Sequence, residues 1–172
     1  MGPKIHASSR AWLLAAGAAV VSAGLPDELL WLPGFAFGAA LGLIAWPGVG
    51  RFLAYVGLSG MLYLLAEAVT IGLAEAVPPV LASALAGAGG ALGLGLLLPL
   101  LRWPGLPPSA LAQVALLGGL LGVLFVPICL RGAWEKNRVA LTVAFGLWQG
   151  PVAWFLVTRG WVVGDARASA EP

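Results

Sequence analysis

The chain is short of charge. Asp, Glu, Lys and Arg make up 9% of its 172 residues, against about 25% in an ordinary soluble domain. Charges this few cannot cover a globular surface with polar groups, so lipid is the expected solvent for most of the chain. Cysteine and histidine are almost missing. The single Cys129 excludes an internal disulfide, and one cysteine far from the single His6 argues against a structural zinc or haem site. The basic residues are scattered and the formal net charge is only +2. A nucleic-acid partner requires a basic stripe, which is lacking. There is no phosphate-cradling loop, no pair of catalytic aspartates and no metal-ligand spacing. The expectation is a protein without cofactor or metal, and not an enzyme.

What is present is apolar: 60% of the residues are hydrophobic, with a mean hydropathy of +0.97. A membrane-crossing helix needs about 20 apolar residues. Charges and prolines divide the chain into stretches at 11–25, 29–50, 52–77, 80–101, 109–130 and 139–158, with a polar tail over 159–172. These runs are continuously apolar, whereas barrel strands alternate over about ten residues. The expected fold is therefore all-α: one domain, a polytopic integral membrane protein built as a compact bundle of six transmembrane helices. The N-terminal segment imitates a cleavable signal but is expected to be retained as the first span. Its Met-Gly start lacks the Ser or Thr that myristoylation needs at the sixth position, where His6 stands. Trp12, Trp31, Trp46, Trp103, Trp134 and Trp161 fall at expected interfaces, as an aromatic belt would.

Orientation follows from lysine and arginine. With the N-terminus inside, Lys4, Arg10, Arg51, Arg102, Arg159 and Arg167 fall inside, and Arg131, Lys136 and Arg138 outside. Both termini are thus expected in the cytoplasm and the protein in the cytoplasmic (inner) membrane.

Small residues four apart let helix backbones approach where lipid removes the hydrophobic drive between helices. Gly34, Gly38 and Gly42 form such a ridge, as do Gly89 with Gly93, Gly118 with Gly122, and Gly146 with Gly150. They are expected to pack helices within the chain or to form a homo-oligomer face. An internal similarity also appears. Gly38, Leu41, Gly42, Pro47 and Arg51 match Gly118, Leu121, Gly122, Pro127 and Arg131. It reads either as an inverted repeat of the kind many transporters carry, or as coincidence in a Gly/Leu-rich chain.

The third stretch holds the acids. Stepping by four gives Ser59, Tyr63, Glu67, Ile71 and Glu75, with Thr70 one turn from Glu67. The carboxylates sit about 12 Å apart along a helix, too far to share a proton. Glu75 is expected near an interface. Glu67 lies deeper, where an ionised carboxylate costs at least a few kcal/mol. It should face the bundle interior and be either protonated or supplied with donors, of which Tyr63, Thr70, Gln113, Thr142, Trp148 and Gln149 are the intramembrane candidates. Three roles fit Glu67: a proton, cation or cationic-ligand site, an interhelical hydrogen bond, or a docking contact to a partner subunit. Ser59 within "GLSG" matches the rhomboid-protease nucleophile motif, but no later histidine exists to activate it, and that activity is rejected.

In size, span number and inside termini the chain is similar to the substrate-binding components of energy-coupling-factor vitamin transporters. Ala15 and Ala19 match the small-residue spacing those proteins use for docking. Two residues do not define a family. Three function classes follow. The first is a transport or ligand-binding membrane component, with Glu67 and Gln149 near its site and Tyr63, Thr70, Glu75 and Gln113 as further candidates. The second is an accessory subunit of a larger membrane complex. The third, a lipid-acting enzyme, is disfavoured by the scarcity of His, Asp and Cys.

Overall fold

The computed structural model describes residues 13–14, 16–21, 32–73, 75–126 and 138–168. All the secondary structure among them is helical. Helix α1 spans Leu32–Ala45, α2 Val49–Leu73, α3 Pro79–Leu97, α4 Pro108–Gly122 and α5 Arg138–Ala168. Short 3-10 turns extend α3 through Leu98–Leu101 and α4 through Val123–Phe125. Residues 16–21, from the expected first span, are also helical. Among the described residues, three helical stretches are long and apolar enough to cross a membrane: Val49–Leu73, Pro79–Leu101 and Pro108–Phe125.

Proline and glycine punctuate these helices more finely than hydropathy does. The expected second span, 29–50, is broken at Trp46–Pro47–Gly48. Trp46 takes φ 37° and Gly48 φ 97°, both in the left-handed region. The Trp46 amide still donates to the Gly42 carbonyl, and Phe52 starts the next helix by donating to Gly48. This leaves α1 with 14 residues, about 21 Å at 1.5 Å per residue. Arg51, expected in the loop, lies in the first turn of α2. The third helix expected over 52–77 starts earlier and stops at Leu73, where the Ala76 and Val77 amides cap its carbonyl. Pro79 and Pro108 each occupy the first turn of a helix, where a missing N–H costs nothing. The last helix does not end at Thr158. It runs 31 residues through the expected polar tail to Ala168, with Pro151 inside it. Residues 127–130 of the expected fifth span, including Cys129, lie outside the described residues.

Consecutive helices joined by short connections pack antiparallel. The start of α2 accordingly packs on the 3-10 turn that ends α3. The Trp46–Gly48 turn, the 102–107 loop and Arg159 thus share one end of the bundle, the Arg102 end. The 75–78 turn, the close of α4 and the opening of α5 share the other, the Glu75 end.

Small residues set the closest approaches. A Cβ on Gly87 of α3 would strike the Gly118 carbonyl of α4, and one on Gly122 would lie 2.5 Å from the Ser83 carbonyl. Ala91 completes this ridge against Gly118. The α3 contact face is therefore Ser83, Gly87 and Ala91. Gly89, expected in this role, has open space around it. Gly93 instead packs under the Leu62 side chain, 2.7 Å from a Cβ placed there. Gly34, Gly38 and Gly42 face α2, against Tyr63, Ser59 and Phe52 respectively. In α5, Gly146 faces Ala19 at 3.9 Å, and Gly150 is buried. The glycines of the internal similarity serve different neighbours. Gly38 and Gly42 pack forward on the helix that follows, whereas Gly118 and Gly122 pack back on the helix that precedes. Matching letters do not correspond to matching packing.

Candidate functional site

The Arg102 end is filled. Tyr55, Leu98, Leu101, Val114 and Leu156 are fully buried there and pack with Leu41, Leu106 and Val152 into one continuous core. The Glu75 end is hollow. A cavity of about 420 Å³ lies between the helices, within the size range of small-molecule sites. Every one of the five helices contributes to it. Pro33, Gly34 and Phe37 come from α1, and Ser83, Ala86, Gly87, Gly90 and Leu94 from α3. Gly122 and Phe125 close one side, and Phe145, Trp148 and Gln149 of α5 another. The α2 wall carries the polar stripe: Ser59, Tyr63, Glu67 and Thr70, alternating with Leu62, Ala66 and Ile71.

This wall exists because α2 is a single unbroken 25-residue helix. Residues three and four apart then share a face, so Ser59, Tyr63, Glu67 and Thr70 all point one way. The small residues opposite, Gly87, Gly90 and Ala86, leave volume that larger side chains would occupy. A Cβ on Gly90 would rest at 3.7 Å from the Trp148 ring, in ordinary contact.

The polar groups differ in how well they are satisfied. Thr70 donates its hydroxyl to the Ala66 carbonyl one turn back, at 2.8 Å. The Trp148 indole N–H donates across to the Gly118 carbonyl of α4, at 3.1 Å, which fixes the ring on the cavity wall. Two other groups are buried. Gln149 is 2% exposed and Ser59 is 3% exposed. The Gln149 Oε1 has no hydrogen-bond partner among the described residues, whereas the Ser59 Oγ has the Tyr55 hydroxyl as its polar neighbour. Leaving such a group unpaired costs about 1–3 kcal/mol, and an interior that retains one ordinarily supplies a partner. Glu67 is half-buried on the same wall, and none of the described residues lining the cavity is basic. The Tyr55 hydroxyl, also buried, belongs to the filled end and faces the Ser59 hydroxyl one turn further along α2.

Aromatic rings form much of the remaining surface. Phe37 meets Trp148 edge-on with centroids 6.0 Å apart. Phe145 lies between Tyr63 at 6.3 Å and Phe125 at 5.2 Å. These are ordinary aromatic packing distances, and all five rings border the cavity.

Of the residues expected at a site, Glu67, Tyr63, Thr70 and Gln149 are brought together. Glu75 is not, because it lies beyond the end of α2 in an exposed turn. Gln113 is not either. It is exposed at the Arg102 end, where it accepts a 3.4 Å hydrogen bond from Arg159, whose guanidinium lies over the Phe155 ring at 5.6 Å. Trp154 is exposed, whereas its neighbour Trp148 lines the cavity. Ser59 and the phenylalanines Phe37, Phe125 and Phe145 also line the cavity and were not among the expected site residues. Ser59 was visible on the polar stripe, but nothing in the sequence tells a cavity phenylalanine from a lipid-facing one.

Among the described residues, no cluster of His, Cys, Asp and Glu is suited to hold a metal ion. Comparison with protein-family models, with characterised proteins and with solved structures finds no match.

Proposed function

We propose that the chain is a six-span protein of the cytoplasmic membrane that binds a small ligand inside the bilayer, as the binding or transport component of a membrane system. One observation carries this reading: a 420 Å³ cavity whose wall holds both Glu67 and the buried, unpartnered Gln149. Acidic and amide groups are expensive at membrane depth, and their usual use there is a site. A purely structural Glu67 would be expected to turn onto a donor in a neighbouring helix rather than onto a void.

Arg51, Arg102 and Arg159 are exposed at the filled end, which supports a cytoplasmic side for that end under the positive-inside rule. The hollow end then faces outward, and a ligand would reach the cavity from outside. Both termini are cytoplasmic in this arrangement, which reporter fusions at each end would test.

Native mass spectrometry of the protein released from membranes tests the binding reading. The wild-type chain should carry a small-molecule adduct. Ala86→Phe, which fills the cavity, should lose it while remaining monodisperse. An adduct unchanged by Ala86→Phe, or one with the mass of a phospholipid, would overturn it. If Glu67→Gln instead spares the adduct and costs a co-purifying chain, the accessory-subunit reading replaces this one.

A further inference from the structure

We infer that the occupant of the cavity is a primary or secondary ammonium ion carried on a small aromatic or apolar body; this deepens the binding reading above and rests on it. Three independent features of the wall select that chemistry. The first is charge. Glu67 is the one ionisable carboxylate among the described lining residues, and no described basic residue balances it. A carboxylate or phosphate ligand would meet a like charge in a low-dielectric setting, whereas a cation would neutralise it.

The second is hydrogen bonding. The unpartnered Gln149 Oε1 is an acceptor only. Together with the Glu67 carboxylate it calls for a ligand that brings its own N–H donors. A primary or secondary ammonium has at least two, and a quaternary ammonium has none. The third is the ring set. Phe37, Trp148, Tyr63 and Phe145 border the same space. Aromatic faces attract a cation within about 6 Å and also pack against an aromatic body.

Volume limits the body. A space of about 420 Å³ lies in the range of small-molecule sites. One ring with a short amine tail fits within it.

Calorimetry in lipid nanodiscs, with empty nanodiscs subtracted, tests this with probes sharing one body: 2-phenylethylamine, the neutral 2-phenylethanol and the anionic 3-phenylpropionate. The amine should bind at least tenfold tighter than the alcohol, and the propionate weakest. This ranking is measured on the wild-type chain and needs no variant to fold. Glu67→Gln should abolish the preference for amine over alcohol, at unchanged size-exclusion profile. Gln149→Leu should abolish the preference for 2-phenylethylamine over its N,N,N-trimethyl analogue. If the alcohol binds as tightly as the amine and is excluded by Ala86→Phe, the ammonium assignment falls and the cavity remains a site. If no probe binds yet a small-molecule adduct persists, the assignment likewise falls alone. If no probe binds and no adduct is found, both readings fall.

Discussion

The two ends of the bundle are packed in opposite ways. At the Arg102 end, Leu98, Leu101, Val114 and Leu156 interlock around Tyr55 with almost no exposed surface. At the Glu75 end, α3 and the wall of α2 meet across a void bordered by glycines, alanines and phenylalanines. The difference is one of side-chain volume as well as polarity. Branched aliphatics fill the space that the helix axes leave, whereas Gly87, Gly90 and Ala86 do not, and the aromatic rings frame what remains open. A filled end holds the helices in register, so that an open end can keep its shape with only a small core of its own, around Ala19, Ala144 and Phe145.

Substitutions that push the two ends toward each other test this contrast. The largest effect is expected at the α3–α4 crossing that both ends depend on. Gly87→Leu must displace the Gly118 backbone, and a monodisperse peak on size exclusion should be lost. Gly89→Leu, two residues away in open space, should retain it. Similar behaviour of the two would mean that the crossing does not organise the bundle.

Overfilling comes next. Ala153→Phe enters the filled end, where Ala153 is 1% exposed, and overpacking of this kind costs at least about 1–3 kcal/mol. Ala86→Phe enters the void and should leave the thermal unfolding transition in detergent nearly in place. Truncation should show the same asymmetry on a comparable scale. Leu98→Ala removes a fully buried side chain and should cost about 2–5 kcal/mol. Ile71→Ala, at a mostly exposed position on the cavity rim, should cost less than about 1 kcal/mol. Equal losses at the two positions would contradict a hollow end. The smallest effect on stability is expected for Glu67→Gln, which keeps the shape of the wall and removes only charge; its consequence should appear in ligand binding and not in the unfolding transition.

Much of this architecture was legible in the sequence because hydropathy and helical periodicity are local properties. The apolar stretches became helices, and the polar stripe of Ser59, Tyr63, Glu67 and Thr70 was readable from four-residue spacing alone. The helix limits were less legible. The break at Trp46–Gly48 depends on a left-handed backbone at an apolar tryptophan, and hydropathy does not register φ. The face of α3 was misread for a different reason. Gly89 and Gly93 have the favoured spacing, but Ser83, Gly87 and Ala91 have the same spacing, and only the position of α4 selects between them. Gln113 and Gln149 look alike in the sequence. One lies at an exposed helix end beside Arg159, and the other is buried on the cavity wall.

The amino-acid sequence by itself determined an all-helical chain dominated by apolar helices, the prolines that begin them and the face of α2 that carries Glu67. These rest on backbone hydrogen bonding within a helix and on the periodicity of side chains along it, which act over a few residues. Tertiary structure alone decided that this face borders a void, that Gln149 and Ser59 share it, and that the opposite end of the bundle is filled. Those outcomes depend on how closely neighbouring helices approach, and that distance is set by pairs of residues far apart along the chain.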